Sequence, residues 1–383
     1  MSRRLDLCPS VWDLRALARR RVPRMVFDYV DGAAMTETSL ERSRAAYRRV
    51  ELHPHVLRDV ADVDVSADFL GVRHPLPIIL APTGFTRMMH NAGEPAVARA
   101  AARHGVPYTL STLGTTSVED LARAAPGTRR WFQLYVGHDR EQAAELLSRA
   151  GQSGYDTVLI TVDTAVGGIR RREVRHGLTV PPRLRPSTIA DIARHPHWWI
   201  HRLTSERLTF AAMSSTDGTV GDLITRILTP SLTPADLIWV RDHWKGAVVV
   251  KGVQRLDDAR MLADAGVNGL VLSNHGGRQI DMAAAPLDLV APVAQAVGSQ
   301  VEVYVDGGIL TGTDIVAAVA LGARGVLIGR AYLYGLMAAG EAGVDHVIRI
   351  LEKETRSTMQ LLGVRSLSDL QGADRDVVRL RPA

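Results

Sequence analysis

Short apolar runs bounded by turn residues recur along the chain at intervals that predict eight β-strands. Several runs, among them VLITVD, AVVVKGV and GLVLSNH, are continuously apolar rather than alternating. That pattern is typical of parallel strands that are covered on both faces. The predicted strands span residues 77–83, 108–112, 130–136, 157–163, 247–253, 269–275, 302–308 and 325–330.

Helical periodicity separates most of these strands. GEPAVARAAARHG, DREQAAELLSRAGQSG, LDDARMLADAG and GTDIVAAVALGA place apolar residues at helix spacing and carry a glycine at or near the end. Helices are also predicted at 11–21 and 24–34, before the first strand, and at 345–362. This α/β alternation predicts one domain over residues 1–383, an eight-stranded parallel β/α (TIM) barrel spanning about 77–335 with N-terminal helices and a C-terminal helix.

One connection departs from this regular alternation. About eighty residues, 164–246, separate the fourth and fifth strands, whereas ordinary β/α loops have ~2–6 residues. An insertion of this length at the active-site end of a barrel predicts a lid or a docking surface. Its segment HPHWWIHRLTSERLTF sets paired tryptophans among arginines and histidines. Two interpretations stay open: peripheral contact with a membrane interface, or a helix that packs its tryptophans on the barrel.

Composition excludes several classes of protein. The hydrophobic fraction of 46% and the charged fraction of 23% are ordinary for a globular protein, and the net charge of +5 suits anionic small molecules. The arginines are spread along the chain without an RNA-binding signature, so no nucleic-acid partner is expected. The single cysteine, Cys8, excludes an internal disulfide, and no window reaches the ~20 apolar residues of a membrane span. We expect a cytoplasmic protein whose membrane contact, where it has one, is peripheral.

Polar residues and glycines follow the predicted strands at one end of the barrel, where β/α barrels place their reactive groups. The strands end, in order, in APTG, LSTLG, FQLYV, TVD, VKG, SNHGGRQ, DGG and IGR. A barrel needs none of these residues for stability, so eight such ends predict an active site. The sequence has no HExxH, no CxxC and no carboxylate cluster at ligand spacing, so no metal is expected.

Cationic residues at these strand ends indicate an anionic ligand. Lys251, Arg278 and Arg330 stand at strand ends, and Arg170 follows the fourth strand. The glycines after strands seven and eight lie where β/α barrels commonly bind phosphate through backbone N–H groups. Together with Arg330, they predict a phosphate site.

A histidine and an aspartate at strand ends are candidates for proton transfer. A carboxylate such as Asp163 can orient the imidazole of His275 and stabilise its protonated form. In SNHGGR, two glycines separate His275 from Arg278, which allows both side chains to face one cavity. We predict His275 as a general base, and we expect Asp281 to brace Arg278.

The motifs SNHGGRQ, TVDT, FQLY, VKG, APTG and DGG…IGR resemble those of the FMN-dependent α-hydroxy acid oxidases and dehydrogenases, which include glycolate oxidase, L-lactate dehydrogenase and mandelate dehydrogenase. The resemblance covers nearly the whole chain, and PTGFTRMMH and IGRAYLYGLMAAGEAGV are most similar to the bacterial L-lactate dehydrogenase branch. It implies an FMN cofactor, oxidation of an L-2-hydroxy acid with L-lactate as the first expectation, and a homotetramer. The electron acceptor would be a quinone, another carrier or oxygen.

The resemblance also implies a role for each matching residue. His275 would take the hydroxyl proton or the α-proton of the substrate, with Asp163 behind it. Lys251 would lie beside the pyrimidine edge of the flavin, and Asp306 would hold the ribityl chain. The substrate would be bound at its carboxylate by Arg170 and Arg278 and hydrogen-bonded by Tyr29 and Tyr135. The isoalloxazine would be lined by Pro82, Thr83, Gly84, Ser111, Gln133, Thr161 and Ser273, and the phosphate would be held by Gly307, Gly308, Gly329 and Arg330.

At three positions this chain differs from residues that members of the family carry. Leu310 stands two residues after DGG, where many relatives carry an arginine that binds the phosphate. Some members of the lactate branch lack this arginine too, so we expect FMN to be held by Arg330 and backbone donors, with a weaker affinity. Gly84 replaces an alanine common in the oxidases and matches the mandelate enzyme, which favours a larger substrate or a changed reactivity with oxygen. Leu113 replaces a bulky aromatic residue of glycolate oxidase and is compatible with lactate. L-lactate and a larger, mandelate-like acid both stay open.

Two further functions remain as alternatives. A different FMN barrel enzyme, such as an isomerase, would share the cofactor site, whereas a relative of inosinate dehydrogenase would need a cysteine inside the barrel, and Cys8 lies outside it. A catalytically silent flavin-binding protein would be indicated by loss of the base or of a clamping arginine. His275, Arg170 and Arg278 are all present.

Overall fold

A computed structural model describes residues 5–176, 185–203, 227–372 and 375–382. The described chain opens with helices α1 (Val11–Arg21), α2 (Arg24–Asp31) and α3 (Thr38–Arg48). Helix α1 begins in a capping box, in which the Ser10 hydroxyl accepts from the Asp13 N–H and the Asp13 carboxylate accepts from the Ser10 N–H. Both N-terminal helices predicted from the sequence are confirmed, although α2 ends three residues earlier than predicted.

Two small β-structures flank the barrel. Strand β1 (Val50–Leu52) pairs antiparallel with the C-terminal strand β12 (Val378–Leu380), and β2 (Ala67–Phe69) forms a hairpin with β3 (Val72–His74). The hairpin closes the N-terminal end of the barrel, because the buried ring of Phe69 packs edge-on against Tyr304 with centroids 5.8 Å apart. The opposite end is therefore the one that is available for a ligand.

Eight parallel strands close into a barrel, which confirms the predicted fold. Parallel pairing closes the circle where the last barrel strand meets the first, for example at Val326 and Ile78. The predicted strands are all present. The strand predicted at 247–253 has the predicted bounds, and the other seven end earlier than predicted, because the polar residues at their C-terminal ends leave the ladder and form loops. The barrel strands are β4 (Ile78–Leu80), β5 (Tyr108–Ser111), β6 (Arg130–Leu134), β7 (Thr157–Thr161), β8 (Ala247–Val253), β9 (Gly269–Leu272), β10 (Glu302–Asp306) and β11 (Gly325–Ile328).

Helices cover the outside of the barrel. The helices between barrel strands, apart from those of the insertion, are α4 (Thr86–Met89), α5 (Gly93–Arg103), α6 (Val118–Ala124), α7 (Arg140–Gln152), α12 (Leu256–Asp264), α13 (Leu287–Val297) and α14 (Gly312–Ala320). Helix α14, for example, begins in a capping box between Thr311 and Asp314.

The long connection between β7 and β8 lies partly outside the described residues. Its described helices are α8 (Arg171–Arg175), α9 (Pro186–Ala193), α10 (Pro196–Leu203) and α11 (Pro234–His243). The indole N–H of Trp198 donates to the carbonyl of Met88 at 2.8 Å, so one of the paired tryptophans packs on the short helix α4 that follows β4. No helix in the described parts of the chain combines the length and apolar character needed to cross a bilayer.

The C-terminal helix begins earlier than predicted. Helix α15 (Arg330–Leu362) starts directly after β11 and is interrupted at Ala339 and Gly340, whereas the sequence pattern indicated a start at residue 345; the short α16 (Leu367–Gln371) follows. The predicted start was wrong because glycines weaken the helical signal before residue 345. They are needed for packing, since a Cβ on Gly343 would lie 1.9 Å from the carbonyl oxygen of Gly335.

This close approach gives a test of the packing. We expect Gly343→Ala to lower the free energy of unfolding by about 1–3 kcal/mol, because the backbone that blocks the new methyl group cannot rotate away. Urea unfolding of the full-length protein measures the change. Gly127→Ala is the control, since the nearest atom to a Cβ there is 3.9 Å away. Equal stability of the two variants would contradict the packing argument.

Candidate active site

A cavity of about 1230 Å³ opens at the C-terminal ends of the barrel strands. All the residues predicted for the site line this cavity except Asp163 and Ser273, which lie directly behind it. The volume is above the ~300–1,000 Å³ of common small-ligand sites, so the cavity has room for a cofactor and a substrate together.

The loop after β9 presents His275 in a constrained conformation. His275 has φ +56°, and Gly276 and Gly277 follow at +61° and +75°. The Asn274 carboxamide oxygen accepts from the Gly277 N–H at 3.1 Å, and a Cβ on Gly277 would lie 2.7 Å from the backbone nitrogen of Leu40 in α3. A side chain held at positive φ by such packing is typical of functional sites.

His275 is hydrogen-bonded to the carboxylate that follows β7. Its Nδ1 lies 3.0 Å from Oδ1 of Asp163. Burial lowers the pKa of His275, and the charge of Asp163 only partly counteracts it. Burial alone would raise the pKa of Asp163, but the charge and hydrogen bond of His275, together with Lys251, hold that pKa below its usual value. At neutral pH Asp163 is therefore charged, and the neutral His275 donates from Nδ1 and keeps Nε2 as an acceptor.

A buried ion pair joins β8 to β10. The ammonium of Lys251 lies 3.0 Å from Oδ2 of Asp306 and donates to the Ser273 hydroxyl at 2.9 Å. Burial would lower the pKa of Lys251, but the charges of Asp306 and Asp163 together with the hydrogen bond to Asp306 raise that pKa, so the ammonium stays charged. The Ser273 oxygen also accepts from the His275 N–H at 3.0 Å, which links the ion pair to the histidine loop.

A chain of polar side chains crosses three neighbouring strands on one wall of the cavity. The Ser111 hydroxyl donates to the Gln133 carboxamide oxygen at 3.0 Å, and the Gln133 amide donates to Thr161 Oγ1 at 3.0 Å. These contacts fix the orientation of the Gln133 carboxamide, with its oxygen towards Ser111 and its nitrogen towards Thr161. Beside them, the hydroxyl of Thr83, in the loop after β4, lies 2.6 Å from the hydroxyl of Tyr332 on α15.

Two arginines meet on the other side of the cavity. Nη2 of Arg278 is 3.1 Å from Oε1 of Glu173, and Nη1 of Arg170 is 3.7 Å from the same oxygen. Burial and the charge of Arg170 lower the pKa of Arg278 to about 10, which still leaves it charged at neutral pH. The Arg278 guanidinium also lies 4.8 Å from the ring centroid of Tyr29. The arrangement can bind a carboxylate.

Two contributors to this arrangement were not predicted from the sequence. Gln279 donates to the Asp163 carbonyl at 3.1 Å and accepts from the Gly168 N–H at 3.2 Å, so it ties together the loops after β7 and β9. It stands inside SNHGGRQ, which is the signal that could have identified it. Glu173 stands three residues after Arg170, a spacing at which helical side chains meet.

The predicted contact between Asp281 and Arg278 is wrong. The Asp281 carboxylate accepts from the N–H groups of Thr36 at 2.8 Å and Ser39 at 3.0 Å. It therefore caps the start of α3, because the first N–H groups of a helix have no acceptor inside the helix.

The predicted phosphate end of the cavity lies between β10, α3 and the start of α15. Gly307 and Gly308 have φ of +90° and +87°, and Gly329 precedes the first turn of α15. The Arg330 guanidinium donates to the carbonyls of Val30 at 2.9 Å and Gly32 at 2.8 Å, so its donors are partly used at the end of α2. Among the described residues, no group of three or more His, Cys, Asp or Glu could hold a metal ion.

Comparison with known proteins identifies close relatives. The family model described as FMN-dependent dehydrogenase matches residues 18–378. A putative L-lactate dehydrogenase of Mycobacterium tuberculosis is 51% identical, with 99% of this chain and 91% of the relative covered. An L-lactate dehydrogenase of Caulobacter vibrioides is 42% identical, with 94% of this chain and 96% of the relative covered.

Solved structures of a mandelate dehydrogenase and a mandelate oxidase are also similar to this chain. The monotopic membrane protein (S)-mandelate dehydrogenase superposes with a TM-score of 0.93 at 35% identity, covering 98% of this chain and 100% of that chain. A mandelate oxidase in complex with 3,3-difluoro-2-hydroxy-3-phenylpropionic acid superposes with a TM-score of 0.81 at 36% identity, covering 95% and 98%.

The buried pair of Lys251 and Asp306 gives a test on the free energy of unfolding. We expect Lys251→Met to lower it by about 3–5 kcal/mol, because Asp306 would remain buried without its cation. Urea unfolding of the flavin-free full-length protein measures the loss. Arg255→Met is the control, since Arg255 is 3.8 Å from Asp257 and both side chains are mostly exposed, so little change is expected. An equally small loss for Lys251→Met would show that the buried pair does not stabilise the fold.

Proposed function

Since the chain belongs to the FMN-dependent dehydrogenase family, whose members here oxidise α-hydroxy acids with FMN, we propose that it converts L-lactate to pyruvate with His275 as the base and Arg170 and Arg278 at the substrate carboxylate. The observation that carries this proposal is the pairing of His275 with Asp163 at 3.0 Å in the same cavity as the two arginines. A base and a carboxylate clamp are the two groups that oxidation of a 2-hydroxy acid requires from the protein.

The donors and acceptors of the cavity fit FMN. Oδ1 of Asp306 is buried without a partner among the described residues, so it is free to accept a hydrogen bond from a ribityl hydroxyl. The charged Lys251 suits the pyrimidine edge of the ring, where negative charge develops. When bound, FMN supplies the two-electron acceptor. In this proposal Pro82, Thr83, Gly84, Ser111, Gln133, Thr161 and Ser273 surround the ring, while Gly307, Gly308, Gly329 and Arg330 hold the phosphate.

The proposed base is prepared for proton transfer at neutral pH. The lowered pKa keeps His275 neutral, and its Nδ1–H bond to Asp163 leaves Nε2 to receive a proton from the substrate hydroxyl or α-carbon. The imidazolium that results is stabilised by the Asp163 carboxylate, which stays ionised because its own pKa is lowered. The residues support proton removal by either route.

The proposed substrate clamp combines charge with neutral donors. Arg170 and Arg278 would bind the carboxylate through charge-assisted hydrogen bonds. Burial raises the pKa of Tyr29 and of Tyr135, so both phenols stay protonated and can donate hydrogen bonds to the substrate. Glu173 offsets part of the positive charge of the two arginines, which are close together in a buried site.

The size of the substrate is argued from the space beside Gly84. A Cβ on Gly84 would lie 3.0 Å from the Cβ of Leu113, so Leu113 occupies the space that the missing side chain leaves. Leu113 also packs with Phe85 and Tyr135 against the buried Ile227. These contacts favour the small methyl group of lactate. A mandelate-like acid is the second candidate, because the (S)-mandelate dehydrogenase fold is so similar.

The same proposal extends to the electron acceptor and the location of the protein. The described part of the insertion exposes Ile189, Ile200 and Leu203, and the similar (S)-mandelate dehydrogenase is a monotopic membrane protein. We propose a homotetramer that is otherwise cytoplasmic and contacts the inner face of the cell membrane through the insertion. A membrane quinone would then accept the electrons, with another carrier or oxygen as the alternatives.

Replacement of the proposed base tests the function. We expect His275→Ala to remain folded and yellow but to be reduced by L-lactate about 10²–10⁴-fold more slowly, because proton removal loses its base. Anaerobic absorbance of the flavin band measures the reduction. His53→Ala, at a surface histidine whose side chain is 47% exposed, is the control and should match the parent. Reduction of the His275 variant near the parent rate would exclude His275 as the base, and a parent that no 2-hydroxy acid reduces would exclude the proposed reaction.

Truncation of Leu113 tests the substrate class. We expect Leu113→Ala to raise kcat/KM for L-mandelate relative to L-lactate by about tenfold or more, because it removes the side chain that fills the space beside Gly84. Stopped-flow reduction with both acids measures the ratio. Leu310→Ala serves as the control, because Leu310 lines the cavity at the predicted phosphate end. A parent that already prefers L-mandelate would favour the second candidate substrate.

A further inference from the structure

We propose that Arg44, on helix α3, is a ligand of the FMN phosphate, at the end of the cavity where Leu310 offers no charge. The proposal rests on FMN as the cofactor. It concerns a residue far from every motif that identifies the family, on an element that precedes the barrel.

Helix α3 packs directly on the glycine loop at the predicted phosphate end. A Cβ on Gly308 would lie 2.7 Å from the Ser43 carbonyl oxygen and 3.2 Å from Cε2 of Tyr47. Arg44 directly follows Ser43 on the helix and therefore starts from backbone that touches the loop. Arg44 lines the same cavity as Gly307, Gly308, Leu310, Gly329 and Arg330.

The Arg44 guanidinium is held in place but keeps hydrogen-bonding capacity. Its Nη1 donates to the Gly308 carbonyl at 2.6 Å and to Oδ2 of Asp314 at 2.6 Å. The guanidinium lies 5.8 Å from the ring centroid of Trp12 and 5.9 Å from that of Tyr47, so aromatic rings restrict its position. Its Nε is buried and has no partner among the described residues. A buried N–H donor without an acceptor is costly, and a phosphate oxygen would satisfy it.

The other groups at this end leave a role for such a donor. Leu310 contributes no charge, and its N–H, like that of Thr311, donates to Asp314 at 2.9 Å. The Arg330 guanidinium already donates to the carbonyls of Val30 and Gly32. A phosphate dianion here needs a further cation, and Arg44 supplies one whose planar fork matches phosphate oxygens.

The phosphate is the only part of FMN that riboflavin lacks, so comparison of the two flavins tests the contact. We expect Arg44→Met to weaken FMN binding by about tenfold or more and riboflavin binding by less than about twofold, because only FMN loses a charge-assisted hydrogen bond. Quenching of flavin fluorescence on titration of the full-length apoprotein gives both dissociation constants. Leu310→Arg in the Arg44→Met background should restore most of the FMN affinity without changing riboflavin binding.

Arg48→Met is the matched control, because Arg48 is an exposed cation one turn further along α3 at the rim of the same cavity. An equal loss of FMN affinity in this control would mean that general electrostatic attraction, not contact, is responsible, and would overturn the proposal. Equal losses for FMN and riboflavin in Arg44→Met would overturn it too, since they would assign Arg44 a structural role through Asp314.

If Arg44→Met fails to fold, Arg44→Lys keeps the charge and loses the guanidinium fork. If Arg44→Lys loses affinity for FMN but not for riboflavin, the result supports the proposal. Unchanged FMN affinity in Arg44→Lys would contradict it. A parent apoprotein that binds neither flavin would instead exclude FMN as the cofactor, so that failure is distinguishable from failure of the role of Arg44.

Discussion

The burial of charged groups at the C-terminal end of the barrel is the constraint on which the site depends. A charge removed from water is tolerated only with a partner, and here each partner comes from a different strand end. Asp163 after β7 meets His275 after β9, and Lys251 on β8 meets Asp306 on β10. Because the ladders from β7 to β10 fix the register of these strands, the pairs form only when the four strands are assembled side by side. The stability of the barrel and the protonation states of the site therefore have one physical origin.

The N-terminal helices complete the site from outside the barrel. The start of α3 packs on the histidine loop at Gly277, and its middle packs on Gly308, at distances that leave no space for a side chain. The end of α2 accepts two hydrogen bonds from Arg330. Glycine is thus required in these loops because α3 lies so close to them, as well as because φ is positive. The close packing of α3 on the loops also brings side chains of α3 into the cavity.

The two ends of the cavity differ in their chemistry. One end collects Arg170, Arg278 and Glu173, and an apolar group that includes Leu113 also lines the cavity. The other presents glycine backbone and the first turn of α15, where unpaired N–H groups suit an anion. A ligand with a planar ring, a polyhydroxyl chain and a phosphate matches this difference when its phosphate lies at the glycine end. The end with the arginines is then left for a second molecule that bears a carboxylate.

The sequence by itself determined the barrel, because eight continuous apolar runs separated by helices have few other ways to bury both faces of a sheet. It also determined that residues such as His275, Lys251 and Asp306 would meet, since the C-terminal ends of parallel strands converge at one rim. Only the tertiary structure decided the partners that come from other elements. Glu173 joins the two arginines, Asp281 caps α3 instead of contacting Arg278, and α15 starts before residue 345. Arg44 reaches the cavity from a helix before the barrel. Such contacts depend on how loops and helices pack in three dimensions, and neither periodicity nor motif spacing along a chain contains that information.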